Sequence, residues 1–151
     1  MTTTIRGSDN WDTSVPSNIV QVSSTTEVSV TSVNWVDLGI QVAITPFSAA
    51  SKIKLEFNIQ SIQLAVSNCG CSFRFVRGST ALHTAAHGYQ NGRFAGSGAI
   101  NVQCSGLEID SPNTTNEVTY KLQVRGYSTA VVKVSRTGGF INLITATEVA
   151  V

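Results

Sequence analysis

A chain of 151 residues is one domain's worth of sequence, and its net charge of +1, spread over scattered basic and acidic residues, excludes the electrostatic footprint of a nucleic-acid binder. No apolar run approaches the ~18 residues of a membrane-crossing helix. Charged residues make up only 13% of the chain, and eighteen serines and seventeen threonines fill the polar positions instead. Soluble domains usually carry about twice that charge, so part of this surface is expected to be covered by copies of the chain or by neighbours in an assembly.

In chain order, residues 1–18 come first: "MTTTIRGSDNWDTSVPSN" is rich in Thr, Ser and Asp, with weak periodicity. With no apolar segment behind Arg6 it is not read as a secretory signal. It is read as a short extended N-terminal arm or attachment segment, because it cannot bury enough apolar surface to offset its ordering entropy. Three short candidate strands follow, "NIVQVSS", "EVSVTS" and "NWVDLGIQVAIT". The clearest pattern is "KIKLEFNIQ", where Ile53, Leu55, Phe57 and Ile59 alternate with polar residues, the signature of a half-buried strand. At Ser61 the apolar parity flips and continues at Ile62, Leu64 and Val66, which predicts either a β-bulge or a short break between two strands. "SFRFVRG", "AINVQCSG", "VTYKLQVRG", "AVVKVSR" and "FINLITATEV" complete the set, separated by turn-rich stretches such as "DSPNTTN" and "RTGG". No segment carries a helical stripe over three turns. The expected fold is all-β: residues 19–151 form a single antiparallel β-sandwich of jelly-roll type.

Both histidines and two of the three cysteines lie in "NCGCSFRFVRGSTALHTAAHG". Cys71 shares strand parity with Phe73 and Phe75, and Cys104 ends the alternation Ile100, Val102, Cys104, so these thiols are expected in the core. A Cys69–Cys71 disulfide would close a strained small ring, and three cysteines leave one unpaired in any scheme; the pattern suits assembly in a reducing cytoplasm. Zinc held by Cys69, Cys71, His83 and His87 is the sharper reading, but structural zinc usually takes cysteines with two to four residues between them. No metal and no cofactor is therefore expected. "STALHTAAHG" itself is compatible with one helical turn or a loop.

Catalytic patterns are weaker. "FAGSGA" misses the Gly-x-Ser-x-Gly elbow by one residue, and the glycines are dispersed as turn residues rather than gathered in a phosphate loop. Glu108 and Asp110 would share one strand face and in principle form a carboxylate pair, though such a pair before a turn is more often solvated. The chain is read as non-enzymatic. Arg74, Arg77, His83, His87, Tyr89, Asn91 and Arg93 form instead a candidate recognition surface for a receptor or partner, since arginine and tyrosine are enriched at hot spots and loops on a rigid sandwich carry binding.

The stretch "NWVDLGIQVAITPFSAASKIKLEF", with its Trp-Val-Asp-x-Gly start, Ile-Thr-Pro and Ser-x-x-Ser-Lys-Ile, resembles head domains of tail-fibre-like virion structural proteins of cyanobacterial and marine bacteriophages. "VTYKLQVRG", "LITATEVA" and "TTIRGSDNWDTS" are similar to other parts of such proteins, and together the matches span about half the chain. The resemblance implies a β-sandwich virion component, usually a homotrimer, assembled in the host cytoplasm and used for host attachment. Its partners would be sister copies, other virion proteins through the N-terminal arm, and a host-surface glycan or protein, with no membrane insertion. In such a trimer His83 and His87 of three copies could gather around an ion at the symmetry axis. The resemblance gives Trp35 and Val36 the start of a strand, Pro46 the end of one and Lys52 the opening of the long one. The alternative role is a capsid cement or decoration protein that stabilises the capsid as a trimer.

Overall fold

In the computed structural model, which describes residues 2–6, 18–65, 68–83, 88–90, 95–96, 98–135 and 139–149, the described residues form strands and turns and no helix. The strands are β1 (Thr2–Arg6), β2 (Asn18–Ser24), β3 (Val28–Val30), β4 (Val36–Ile44), β5 (Lys52–Leu64), β6 (Cys71–Arg77), β7 (Thr80–Ala81), β8 (Tyr89–Gln90), β9 (Ile100–Asp110), β10 (Val118–Gly126), β11 (Val132–Val134) and β12 (Asn142–Val149). All their pairings are antiparallel. One sheet runs β1-β2-β12-β5-β11-β3, with β9 along the other side of β5, and the second runs β4-β10-β6-β7, with β8 also on β6. The two sheets form a β-sandwich. Its principal strands are β2, β12, β5 and β9 on one side and β4, β10, β6 and β8 on the other.

The period-two patterns explain how the core fills. Ile53, Leu55, Phe57 and Ile59 of β5, Phe73 and Phe75 of β6, Leu38, Ile40, Val42 and Ile44 of β4, and Tyr120, Leu122 and Val124 of β10 are all buried. Phe57 sits among the aromatic rings, 5.5 Å from Phe73 and 5.7 Å from Phe75 between centroids, in tilted and edge-on arrangements that such rings prefer. Burying each of these side chains contributes about 1.5–3 kcal/mol before ordering entropy is set against it.

The flip at Ser61 is a bulge rather than a break. β5 runs unbroken through it, its register with β9 shifts between Ile59 and Ile62, and Ile62 and Leu64 beyond it are again buried. The same point is where β5 exchanges one neighbour for another: β12 pairs with it up to Ile59 and β11 from Ile62. A second irregularity sits between Lys121 and Gln123 of β10, opposite the stretch of β4 that contains Gly39. Gly39 has φ +78°, a conformation that costs any residue with a Cβ.

Three features differ from the sequence expectation or extend it. Thr2–Arg6 of the arm lies along β2 as an added edge strand, and Asn18 is the buried first residue of β2; residues 7–17 lie outside the described residues. β9 runs on through "LEID", so Glu108 and Asp110 are strand residues facing the second sheet rather than a solvated pair before a turn. Within "STALHTAAHG", Thr80 and Ala81 form a short strand on β6, and the helical-turn reading falls on residues 84–87, outside the described residues. The three thiols are free and buried, as strand parity required of Cys71 and Cys104. Burial raises the Cys71 thiol and pushes that of Cys104 up to about 11.

The outer face of the larger sheet is set by register. Ile19, Thr147, Lys54 and Ile109 form one row across β2, β12, β5 and β9; Gln21, Thr145, Glu56 and Leu107 form the next; Ser23, Leu143, Asn58 and Ser105 the third.

Candidate functional site

The described candidate residues gather at the side of the sandwich where β8 of the smaller sheet comes beside β9 of the larger. Tyr89 opens β8 and is paired with Phe73 of β6. Its ring packs edge-on against Phe57, 5.5 Å between centroids, and lies 4.7 Å from the His83 ring. Tyr89 reaches that position because Gly106 of β9 has no side chain: a Cβ there would stand 2.4 Å from Phe57 Cε1 and 2.8 Å from Tyr89 Cδ1. The Tyr89 hydroxyl donates to the Leu107 carbonyl and, at 3.1 Å, is also within hydrogen-bond reach of Glu108 Oε2. The same carboxylate oxygen is 3.2 Å from His83 Nδ1. Glu108 thus ties the histidine and the tyrosine of the smaller sheet's margin to an edge strand of the larger. Burial first, and then the neighbouring Glu108 carboxylate, push the Tyr89 phenol above its ordinary range, so it stays a donor and not a base.

Two residues further along β9, Asp110 makes a second junction. Arg77, at the end of β6, donates from one guanidinium nitrogen to Asp110 Oδ2 at 2.8 Å, and the same nitrogen is 3.3 Å from the Ser111 carbonyl. The Tyr120 hydroxyl of β10 donates to that same Oδ2 at 2.8 Å. The Asp110 carboxylate is only 9% exposed, so this ion pair sits in the wall of the sandwich. Burial, then the hydrogen bond and charge of Asp110, raise the Tyr120 phenol.

On the outside of the smaller sheet, Arg74 and Arg125 place their guanidinium carbons 4.4 Å and 4.9 Å from the ring of Trp35, within cation–π range. Arg74 Nε also donates to Gln123 Oε1 at 2.9 Å, and burial, followed by Arg125, lowers the Arg74 guanidinium. Trp35 in turn covers Gly88. A Cβ on Gly88, whose φ is +58°, would lie 2.9 Å from the indole and 2.2 Å from the Phe73 carbonyl.

Of the candidate recognition residues, Arg77 is therefore a strand residue committed to a buried carboxylate, whereas His83 and Tyr89 meet on Glu108. His87, Asn91 and Arg93 lie outside the described residues. Glu108 and Asp110, two residues apart on β9, serve different partners and do not converge on one point. Among the described residues no cluster of three or more His, Cys, Asp or Glu side chains is arranged to hold a metal.

No family model matches the chain, and no curated protein matches it in sequence. Among solved structures it is similar to a chain in the structure of the infectious bursal disease virus Gx strain, with a TM-score of 0.40 and 13% identity over 94% of this chain. The match covers 40% of that chain, and a likeness of this degree carries no argument about activity or partners.

Sequence reasoning missed two sites of this kind. Glu148, near the end of β12, is buried and accepts from the Phe47 N–H at 2.8 Å and from Asn18 Nδ2 at 3.1 Å, tying three distant parts of the chain together. The parity of "NLITATEV" places Glu148 on the same face as Ile144 and Ala146, which was the available signal. The Trp35 stack had none, because it depends on which strands lie side by side.

Proposed function

We propose that this chain is a non-enzymatic structural protein of a phage virion, a homotrimeric tail-fibre-like head that takes part in host attachment. The observation that carries the reading is the order of the principal strands, β2-β12-β5-β9 in one sheet and β4-β10-β6-β8 in the other; leaving out the short or peripheral β1, β3, β7 and β11, consecutive members alternate between sheets except at β6 and β8, an order we read as that of a jelly roll. Jelly rolls serve as capsid and lectin domains among others, so the fold narrows the function without naming it. The low charge of the chain and the resemblance of residues 34–57 to phage head domains support the choice. Val36 opens β4, Pro46 follows its end and Lys52 opens β5, the structural roles that resemblance implies.

The mechanism is passive. A rigid sandwich presents residues at its β8–β9 margin, His83 and Tyr89 among them, to a host-surface glycan or protein, while the N-terminal segment joins other virion proteins. Three copies turn weak single contacts into avidity. A capsid cement or decoration role is the second reading, favoured by the lack of a repetitive shaft between residues 1–18 and the sandwich. The test is electron microscopy of phage particles labelled with a gold-tagged antibody against this chain. Gold at the tail supports attachment, gold over the capsid supports decoration, and a chain found only in cell extract, never on particles, overturns both.

A further inference from the structure

We propose that the outer face of the smaller sheet, at its Trp35 end, binds an acidic glycan whose carboxylate or sulfate group is held by Arg74 and Arg125. The choice of a glycan rests on the host-attachment reading above; the need for an anion comes from the residues themselves. Register builds the place. Asp37 of β4, Gln123 of β10 and Arg74 of β6 stand in one row across the sheet, and Arg125 and Ser72 stand in the adjoining one. Trp35, the residue before β4, shares its ring between the two guanidiniums, at 4.4 Å and 4.9 Å. Ser72 is fully buried, and its hydroxyl has no hydrogen-bond partner among the described residues.

The charge balance here differs from the rest of the described surface. Lys54, Arg77, Lys121 and Lys133 each stand within 3.3 Å of a carboxylate, and Lys52 is exposed to water. Arg74 is only partly exposed and has no carboxylate partner among the described residues; the charged neighbour that acts on it is Arg125, of its own sign. The carboxylate in its row, Asp37, is already taken by Lys121 at 3.3 Å and by Gln123 Nε2 at 2.7 Å. Gln123 turns its Oε1 to Arg74 Nε, which leaves the terminal nitrogens of Arg74 without an acceptor among the described residues. Stacking uses the face of a guanidinium, so its in-plane N–H fork remains available and matches a carboxylate or sulfate in bidentate geometry. Two like charges held together away from bulk water favour an anion between them.

The size of the site selects the ligand. Arg74 and Arg125 are diagonal neighbours on adjacent strands, a spacing of about 7–8 Å that suits one acidic sugar residue. A protein partner covers about 800 Å² a side and a nucleic acid needs a run of phosphate contacts; two arginines and one indole fit neither. The indole adds apolar surface for the carbon–hydrogen face of the sugar.

The experiment titrates the full chain with trigalacturonate, a sulfated carrageenan tetrasaccharide and neutral galactotriose, read by Trp35 fluorescence in a Trp11→Phe background. Arg74→Gln and Arg125→Gln are checked for native circular dichroism; Arg74→Lys and Arg125→Lys, which keep the charge but lose the fork, guard against a folding defect. Lys54→Gln, on the larger sheet, is the control. We expect a Kd of about 1 mM for an acidic oligosaccharide, weakened by salt, raised at least tenfold by each glutamine, raised less by each lysine and unchanged by Lys54→Gln. A response to trigalacturonate alone marks a carboxylate as the group, and one to the carrageenan alone a sulfate. No response to either acid up to about 10 mM, an equal response to galactotriose, or one indifferent to both arginines overturns the site. Tighter binding of polyglutamate than of the acidic sugars overturns the glycan in favour of a protein partner. Acidic-sugar binding by a chain that gold labelling never finds on particles keeps the site and overturns the virion reading; a chain at the tail without such binding does the reverse.

Discussion

Asp110 shows how one side chain commits a region of this protein. Its Oδ2 accepts from both Arg77 and Tyr120, so β9 of the larger sheet is joined to β6 and β10 of the smaller through a single oxygen. Asp110→Asn keeps the shape but removes the charge opposite Arg77. Breaking a buried pair costs about 3–5 kcal/mol, and because Arg77 is 29% exposed the smaller figure of about 2 kcal/mol is expected here, read as a lower urea midpoint with unchanged slope. Tyr120→Phe loses one neutral-to-charged hydrogen bond and should cost less. Glu148→Ala strips the Phe47 N–H and Asn18 of their acceptor in a buried setting, and a loss of about 2 kcal/mol is expected in the same assay.

At the scale of elements, two glycines set close packing on the β8–β9 side: Gly106 where Phe57 and Tyr89 of the two sheets meet, and Gly88 where the chain entering β8 lies against β6 and Trp35. Gly106→Ala forces Phe57 and Tyr89 apart, an overpacking expected to cost about 1–3 kcal/mol. Gly88→Ala should be worse, because its Cβ would meet a backbone carbonyl that cannot rotate away and its φ is positive as well. The ordering of the three thermal midpoints, wild type above Gly106→Ala above Gly88→Ala, checks this. The bulge of β5 is an element-scale device too. It lets one strand serve β12 with its first part and β11 with its last while keeping apolar side chains inward on both sides of Ser61.

For the whole molecule, the titrating groups with raised proton affinity point one way. Tyr120, Tyr89, Cys71 and Cys104 all hold their protons to higher pH when folded, chiefly because burial disfavours the charged form. The unfolded chain releases the same protons at about 8.5 for thiols and about 10 for phenols, so above about pH 8.5 it binds fewer protons than the native state. Stability contributed by these groups is full below that pH and is lost as pH rises, for Cys104 through about 11. Urea midpoints measured from pH 7 to pH 10.5 should fall, and Cys104→Ala should flatten the thiol part of the slope. With all three thiols free, reductant should leave the thermal midpoint unchanged.

Strand identity was readable from the chain because a sheet with one dry face imposes a period of two on its sequence, and "KIKLEFNIQSIQL", "VTYKLQVRG" and "NLITATEV" obey it. The inward thiols of Cys71 and Cys104 and the change of phase at Ser61 followed from that same periodicity, while the unbroken strand and its register shift decided for a bulge over a break. Parity also turned Glu108, Asp110 and Glu148 inward, but apolar patterning gives no reason to expect a carboxylate there, because its burial is tolerable only once a partner is in place. Those partners, His83 and Tyr89, Arg77 and Tyr120, Phe47 and Asn18, lie on other strands or on loops, 10 to 130 residues away. Residue order therefore determined which faces are wet and dry, while only the tertiary arrangement decided which polar groups meet, because meeting depends on strand neighbours and register and not on local pattern.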